Sequence, residues 1–132
     1  MNKEWLAFGH KFQERMGQLK GSEKEVSPIF LQFLECVHIL SETYPREFEF
    51  NDLFLIHLFD HLLACETGSF LGNCERERVE HSVFMKTTPV WDLLLGRAEY
   101  RNPLFKPTLG LKPLYHRQPR PMGIWTSMYC RW

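Results

Sequence analysis

A mainly α-helical fold is predicted by three observations on this sequence. Apolar residues recur at spacings of three and four in residues 3–16, 28–44 and 51–65, as they do along one face of a helix. Signals that start and stop helices bound these segments. No segment alternates apolar and polar residues in the way that a half-buried strand would. The chain is therefore expected to pack helices around one core.

The first predicted helix covers residues 3–16. Its apolar side would hold Trp5, Leu6, Phe8, Phe12 and Met16. The opposite side would carry Lys11 and Arg15, which are one helical turn apart. Gly9 weakens the centre of this helix, and Gly17 ends it, because glycine is a poor helix former.

The second predicted helix begins at Ser27-Pro28, where a capping side chain precedes proline at a position that needs no N–H donor. It should end near Tyr44, since Pro45 disfavours helical geometry in the residue before it. The third helix starts at Asn51 and reaches about Cys65, with Gly68 as its stop. Apolar on most sides, it is expected to lie centrally; its large apolar residues are Phe54, Leu55, Leu58, Phe59, Leu62 and Leu63.

The remaining segments are short. CERERVEH (74–81) predicts a charged, exposed helical turn, in which ERER is typical of a solvated surface with weak internal ion pairs. The Thr88-Pro89 step starts a helix over 90–95 that ends at Gly96. Five of the eight prolines lie between 103 and 121, which predicts an extended arm. Residues 122–132 predict a short aromatic helix, in which Trp125, Tyr129 and Trp132 form a packing stripe rather than a cofactor site.

Charge and composition exclude several classes of protein. Sixteen basic and sixteen acidic residues cancel, whereas a general nucleic-acid binder needs a basic excess. No stretch approaches the ~20 apolar residues of a membrane span, and the most apolar one, 53–63, contains His57, Asp60 and His61. The N-terminus does not resemble a signal peptide. We therefore expect a cytosolic protein with reduced cysteines, in contact with a membrane only peripherally.

The four cysteines do not fit the motif of cysteine-dependent phosphatases. That chemistry needs a thiolate and an arginine six positions later, closing one phosphate-binding loop. Six residues after Cys36, Cys65 and Cys74 stand Glu42, Leu71 and Glu80, and Cys130 is two residues from the end of the sequence. The thiols are expected to be buried or neutral, and no catalytic residue is predicted.

Two histidines leave one alternative open. His57 and His61 are four residues apart and could bind a metal from one helical face. No third ligand stands out, however, and the favoured interpretation places both at the polar edge of the third helix. No metal and no cofactor are predicted; a metal-dependent enzyme is the weakest of the hypotheses kept.

Lys11 and Arg15 are the candidate binding residues. At this spacing two cations can bracket a phosphate, the arginine through its planar fork and the lysine as a point charge. The other interpretation is that this face is simply solvated, because exposed charge pairs are common.

The order of motifs resembles the myotubularin family of phosphoinositide phosphatases. The matching stretches are KEWLAFGHKFQER (3–15), SPIFLQFLECV (27–37), FEFNDLFL (48–55), GSFLGNCERER (68–78), Thr88 with Trp91, and Asn102-Pro103. The resemblance implies that residues 1–105 are a partial phosphatase domain, the helical C-terminal portion of a cysteine-phosphatase-type α/β domain. Residues 106–132 would be a proline-rich arm and a short aromatic segment whose W-x3-Y-x2-W resembles the end of the same domain.

The resemblance also implies function. The family removes the 3-phosphate from phosphatidylinositol 3-phosphate and 3,5-bisphosphate, and its catalytic loop precedes the motif with which this chain begins. By that comparison the chain lacks the loop and is not catalytic alone. The family's two basic residues in GH[K/R]FxxR correspond to Lys11 and Arg15 and would contact the second phosphate of the lipid headgroup. The sequence departs from the family at His38, where relatives often have tryptophan, and at Lys11, where some have arginine.

Two versions of the biology follow. In the first, the chain is a fragment of a longer phosphoinositide phosphatase and meets the headgroup only together with the rest of the domain. In the second, it is a stand-alone, pseudophosphatase-like protein that binds and regulates active myotubularins. Both place it in the cytoplasm, with endomembrane association as an extension. Without the family's sheet its helices would leave apolar surface uncovered, which favours partner binding or aggregation.

Overall fold

The computed structural model describes residues 1–21, 23–107 and 123–131, and over these residues the chain is mainly α-helical, as predicted. The β-structure within these ranges is an isolated antiparallel bridge between Phe50 and Arg101. The chain forms two compact units. The first joins Met1–Ile29 to Leu58–Leu95, and the second joins Phe30–His57 to Gly96–Trp132.

Most of the helices are short. The α-helices are α1 (Phe12–Arg15), α2 (Ile29–Thr43), α3 (Asp52–Ala64), α4 (Glu75–Glu80), α5 (Val83–Lys86), α6 (Val90–Leu94) and α7 (Thr126–Tyr129). A π-helical segment covers Asn2–Ala7, and 3₁₀ turns cover Glu23–Glu25, Gly68–Phe70 and Ala98–Tyr100. Helices of four to six residues are unstable alone, so packing must hold them. In the described part of the chain no helix combines the length and the apolar character that crossing a bilayer requires.

The prediction of one helix over residues 3–16 is wrong. The π-helical segment ends at Ala7, and α1 begins only at Phe12. Between them Gly9 has φ +86°, a left-handed conformation that glycine adopts without steric cost. The break turns Phe8 to solvent, 72% exposed, although it was expected on the buried side. Phe12 is fully buried, with its ring centroid 5.0 Å from that of Phe70.

The predicted second and third helices are confirmed. Helix α2 starts directly after Pro28 and ends before Pro45. At the start of α3 the Phe54 N–H donates to Asn51 Oδ1 at 3.3 Å, which is the expected cap. Helix α3 ends at Ala64, close to the predicted end at about Cys65, which has φ +53°. Burial along α3 is partial: its buried residues are Leu55, Ile56, Leu58 and Leu62, whereas Leu53 and Leu63 are exposed.

Gly68 serves close packing rather than helix termination. It lies in a buried 3₁₀ turn, and its N–H donates to Thr88 O at 3.2 Å. A Cβ added there would overlap the Thr87 hydroxyl and lie 2.8 Å from Val83 Cγ1. This close approach brings the turn against α5 and the start of α6.

The later helices agree with the sequence in part. Helix α6 and Gly96 (φ +80°) confirm the predicted helix over 90–95, and α7 confirms the short C-terminal helix. Helix α5 was not predicted. Most of the proline-rich arm, residues 108–122, and Trp132 lie outside the described residues.

One expectation about a polar residue is wrong. Arg78, in the turn expected to be exposed, is fully buried. The cysteines are all free, and Cys36 and Cys130 are exposed. Exposure at these positions costs little, because a thiol is a small and only weakly polar group.

Candidate functional site

Lys11 and Arg15 stand at the two ends of one helical turn. Lys11 immediately precedes α1 and Arg15 is its last residue. The Arg15 N–H donates to Lys11 O at 2.8 Å, which closes the turn. Both residues lie in the first unit, and both keep part of their side chains in solvent, 55% for Lys11 and 30% for Arg15.

Each of the two cations contacts a carboxylate of the same unit. Lys11 Nζ lies 3.2 Å from Glu14 Oε1. Arg15 Nη1 donates to Glu25 Oε2 and to Glu25 O, both at 2.9 Å. Solvent-accessible pairs of this kind are worth about 0.2–1 kcal/mol. An incoming dianion could therefore replace these carboxylates at small cost.

The loop that joins the Gly68–Phe70 turn to α4 holds α1 in place. The Gly72 N–H donates to Gln13 Oε1 at 3.0 Å, and the Glu14 N–H donates to Asn73 Oδ1 at 3.1 Å. The second bond satisfies one of the free N–H groups in the first turn of α1. The backbone that carries Lys11 and Arg15 is thus tied to residues almost sixty positions away along the chain.

Arg78 supports that loop from the inside. Its side chain is 1% exposed. Three of its N–H groups donate to carbonyl oxygens: Nε to Leu71 O at 2.8 Å, Nη1 to Leu6 O at 2.7 Å, and Nη2 to Gly72 O at 3.1 Å. The planar guanidinium suits three acceptors in fixed directions. Arg78 therefore positions both the π-helical segment and the loop against which α1 is bonded.

Burial lowers the pKa of Arg78, and the nearby acidic groups, Glu75 first, oppose that shift. The nearest carboxylate oxygen, Glu75 Oε2, is 3.9 Å from Nη1. Sequence reasoning missed Arg78 because no local pattern separates it from Arg76, whose side chain is exposed and paired with Glu80. The distinguishing feature is a set of carbonyl acceptors that only the folded chain assembles.

His10 lies beside the two cations. Its ring contacts Trp5 edge-on at 4.9 Å and Phe12 edge-on at 4.6 Å between centroids. Burial and then the charge of Arg15 lower the pKa of His10 below 6.5. His10 is therefore mainly neutral at pH 7, and the positive charge of this segment resides on Lys11 and Arg15.

The geometry does not favour a metal site at His57 and His61. His57 Nδ1 is hydrogen-bonded to the Tyr100 hydroxyl at 2.8 Å, and His61 Nδ1 lies 3.3 Å from Glu66 Oε2. Across residues 1–21, 23–107 and 123–131 no group of three or more His, Cys, Asp or Glu side chains is arranged to hold a metal ion.

Comparison with known proteins shows that this chain contains phosphatase-domain sequence. Residues 1–79 match the family described as the myotubularin-like phosphatase domain. The chain belongs to this myotubularin-like family, which confirms the resemblance seen in its motifs.

Three relatives illustrate the similarity. The phosphatidylinositol-3,5-bisphosphate 3-phosphatase MTMR8 of Gallus gallus is 44% identical over 133 residues, covering 99% of this chain and 21% of its own length. MTMR6 of Homo sapiens, of the same described activity, is 50% identical over 106 residues, covering 80% of this chain and 17% of its own length. The human phosphatidylinositol-3-phosphate phosphatase MTMR7 is 47% identical over 107 residues, covering 80% and 16%. The chain thus spans about a fifth or less of the length of these relatives.

Proposed function

We propose that this chain is the helical C-terminal part of a phosphoinositide 3-phosphatase domain, without catalytic activity of its own. In this proposal Lys11 and Arg15 contact the 5-phosphate of phosphatidylinositol 3,5-bisphosphate. Family membership and the activities for which the relatives are named support the substrate class. The chain meets the headgroup when the catalytic part of a phosphatase domain is present.

The observation that carries the role of Lys11 and Arg15 is the contrast between their backbone and their side chains. The Glu14 N–H donates to Asn73 Oδ1 and so fixes the backbone of α1, and the Gly72 N–H holds the side chain of Gln13 in the same helix. The charged groups themselves contact carboxylates in pairs that solvent reaches. A firmly held backbone with exchangeable charge partners suits recognition of a phosphate, since little ordering energy must be spent on binding.

The proposal that the chain is not catalytic on its own is based on its cysteines. In these 132 residues no cysteine is followed six positions later by arginine. Burial raises the pKa of Cys65, which disfavours the thiolate needed for attack on phosphorus. Cys65 is thus chemically unlike the nucleophile of a cysteine-dependent phosphatase.

A chimera tests the binding role. This chain replaces the corresponding segment of an active full-length relative, and turnover is measured on phosphatidylinositol 3-phosphate and on the 3,5-bisphosphate. Lys11→Ala and Arg15→Ala should each lower kcat/KM on the bisphosphate about tenfold more than on the monophosphate, since one charge-assisted bond is worth about 1.5–3 kcal/mol. Lys20→Ala, which removes an exposed lysine elsewhere in this unit, serves as the matched control. Equal losses on both lipids would refute a contact to the 5-phosphate.

The purified chain tests the catalytic half of the proposal. It should release no phosphate from either lipid above the level of a variant with all four cysteines replaced by serine. Turnover that depends on one of the cysteines would overturn the proposal that the chain is non-catalytic.

A second candidate function is binding to an active family member. It is supported by large apolar side chains that face solvent, among them Phe8, Met85 and Leu95. Mixing the chain with an active relative should then change that enzyme's turnover and produce a joint peak in gel filtration. Unchanged turnover and separate elution would exclude this second candidate and leave only the first.

A further inference from the structure

The segment that precedes α2 folds back across the C-terminal end of α1. The Ser27 N–H donates to Arg15 O at 2.9 Å. Val26 lies against Gly17, since a Cβ added at this glycine would be 3.1 Å from Val26 Cγ2. Arg15 in turn donates through Nη1 to the backbone carbonyl of Glu25 at 2.9 Å. These contacts hold the segment beside Arg15 within the first unit.

The carboxylate of Glu25 therefore reaches Arg15 from a different element of the chain. Glu25 ends a 3₁₀ turn, and its Oε2 accepts from Arg15 Nη1 at 2.9 Å. The partner of Lys11 is held differently, because Glu14 belongs to α1 itself and lies in the same helical turn as the cation it contacts. Glu25 is thus an anion whose exposed side chain can turn away from its cation while α1 stays fixed.

A carboxylate and a phosphate use the same N–H groups of a guanidinium. While Glu25 contacts Arg15, its negative charge offsets that of the cation and repels a second anion. A phosphate that approaches Arg15 must either displace the Glu25 side chain or bind beside its charge, and both lower the affinity. Because solvent reaches the pair, the loss is small, as is usual for an exposed ion pair.

From these contacts we infer that Glu25 competes with the 5-phosphate for Arg15 and sets how strongly the phosphatase domain favours a lipid with a second phosphate. This inference rests on the proposed function and adds a specificity-determining residue to it. The Glu25 carboxylate occupies Arg15 until the 5-phosphate replaces it, whereas a lipid with only the 3-phosphate leaves it in place. The bond from Nη1 to the Glu25 carbonyl is independent of the carboxylate and keeps the guanidinium in position during the exchange.

The chimera tests the inference through Glu25→Gln, which removes the charge and keeps the shape of the side chain. Relative to the monophosphate, kcat/KM on the 3,5-bisphosphate should rise about two- to fivefold, the equivalent of an exposed ion pair. The rise should appear as a lower KM, since the 5-phosphate is not the reacting group. Glu23→Gln is the matched control, because it removes the same charge from the same turn, and its carboxylate accepts from the Gly21 N–H instead. A fall in this ratio would overturn the inference, since Glu25 would then orient Arg15 for the phosphate.

A double-mutant cycle separates the inference from the proposed function. In the Arg15→Ala background Glu25→Gln should have no further effect, because its partner is already gone. If Arg15→Ala lowers activity selectively on the bisphosphate but Glu25→Gln changes nothing, the inference fails and the proposed function stands. If Arg15→Ala affects both lipids equally, the proposed function fails and this inference fails with it.

The purified chain allows a second measurement that needs no turnover. Heteronuclear NMR follows the guanidinium signal of Arg15 while inorganic phosphate is added as the probe. The shift of this signal should reach half its maximum at an about two- to fivefold lower phosphate concentration in Glu25→Gln than in the wild type or Glu23→Gln. Equal concentrations for all three proteins, or an Arg15 signal that phosphate does not move, would overturn the competition.

Discussion

The indole N–H of Trp125 donates to Asp52 Oδ2 at 3.1 Å and joins the start of α3 to a residue 73 positions further along the chain. The same carboxylate group accepts from Ser127 Oγ and is hydrogen-bonded to His38 Nδ1 at 2.7 Å. The imidazole of His38 stacks on Trp125, with centroids 4.5 Å apart and the planes 11° apart. Asp52 thus joins α2, the start of α3 and the segment that carries α7 within the second unit. The serine donates to the aspartate instead of the histidine, so these residues do not form a hydrolase triad.

Replacing Asp52 should loosen the C-terminal segment. Asp52→Ala removes the acceptor for Trp125, Ser127 and His38 and leaves the buried indole N–H without its partner. We expect a loss of about 1–3 kcal/mol in the free energy of unfolding, measured by urea denaturation. Asp92→Ala, which removes an exposed aspartate in α6, is the control. Equal effects of the two substitutions would contradict the role assigned to Asp52.

Arg78 should be the most sensitive charged residue in the first unit. Arg78→Met leaves three carbonyl groups, those of Leu6, Leu71 and Gly72, without their donors. Breaking a buried charged network typically costs about 3–5 kcal/mol, and the loss should appear in thermal or urea unfolding. Arg76→Ala removes an exposed i,i+4 pair with Glu80 and should cost less than about 1 kcal/mol.

Arg78→Lys asks whether charge or shape matters at this position. Lysine keeps the charge but cannot direct donors at three carbonyl groups at once. We expect most of the destabilisation of Arg78→Met to persist in Arg78→Lys. Full stability of the lysine variant would show that the cation alone suffices.

Gly68→Ala should destabilise the first unit through steric overlap. The added methyl group would collide with the side chains of Thr87 and Val83. Overpacking of this kind typically costs about 1–3 kcal/mol, and the melting temperature should fall accordingly. Gly123→Ala is the matched substitution, because a Cβ there meets no atom within 4 Å. If neither substitution lowers the melting temperature, the turn at Gly68 can move away from Thr87 and Val83 to make room for the methyl group.

Tyr129 makes the stability of the second unit sensitive to alkali. Its hydroxyl donates to Glu35 Oε1 at 2.6 Å, and burial, then Glu35, raise the pKa of Tyr129 from 10.0 to about 12. A pKa raised on folding means that the unfolded chain loses its proton first. The contribution is therefore complete below pH 10.0 and is lost as the pH rises toward about 12. Comparing the melting temperature across this interval in the wild type and Tyr129→Phe isolates this contribution, and the variant should lose less stability than the wild type.

A spectrophotometric phenol titration of Glu35→Gln should show a lower pKa for Tyr129; an unchanged pKa would exclude Glu35 as a cause.

Local chemistry explains what could be read before the fold was known. Pro28 and Asn51 start helices through their own backbone and side-chain preferences, and Gly96 ends one for the same reason, so α2, α3 and α6 were predictable. The family motifs could likewise be read along the chain. Helix α5 and the break at Gly9 could not, because the segments around them are too short to form without tertiary packing.

The sequence by itself determined the helix boundaries set by capping residues, the family, and the spacing that leaves Cys36, Cys65 and Cys74 without an arginine six positions later. Only the tertiary structure decided that Arg78 is buried while Arg76 is exposed. It alone also decided that the Asp52 carboxylate is hydrogen-bonded to Trp125, Ser127 and His38. The physical reason is the range of the interactions. A helix cap involves groups three residues apart, as between Asn51 and Phe54. The burial of Arg78, in contrast, depends on a carbonyl group 72 residues away, which becomes an acceptor only when the chain has folded.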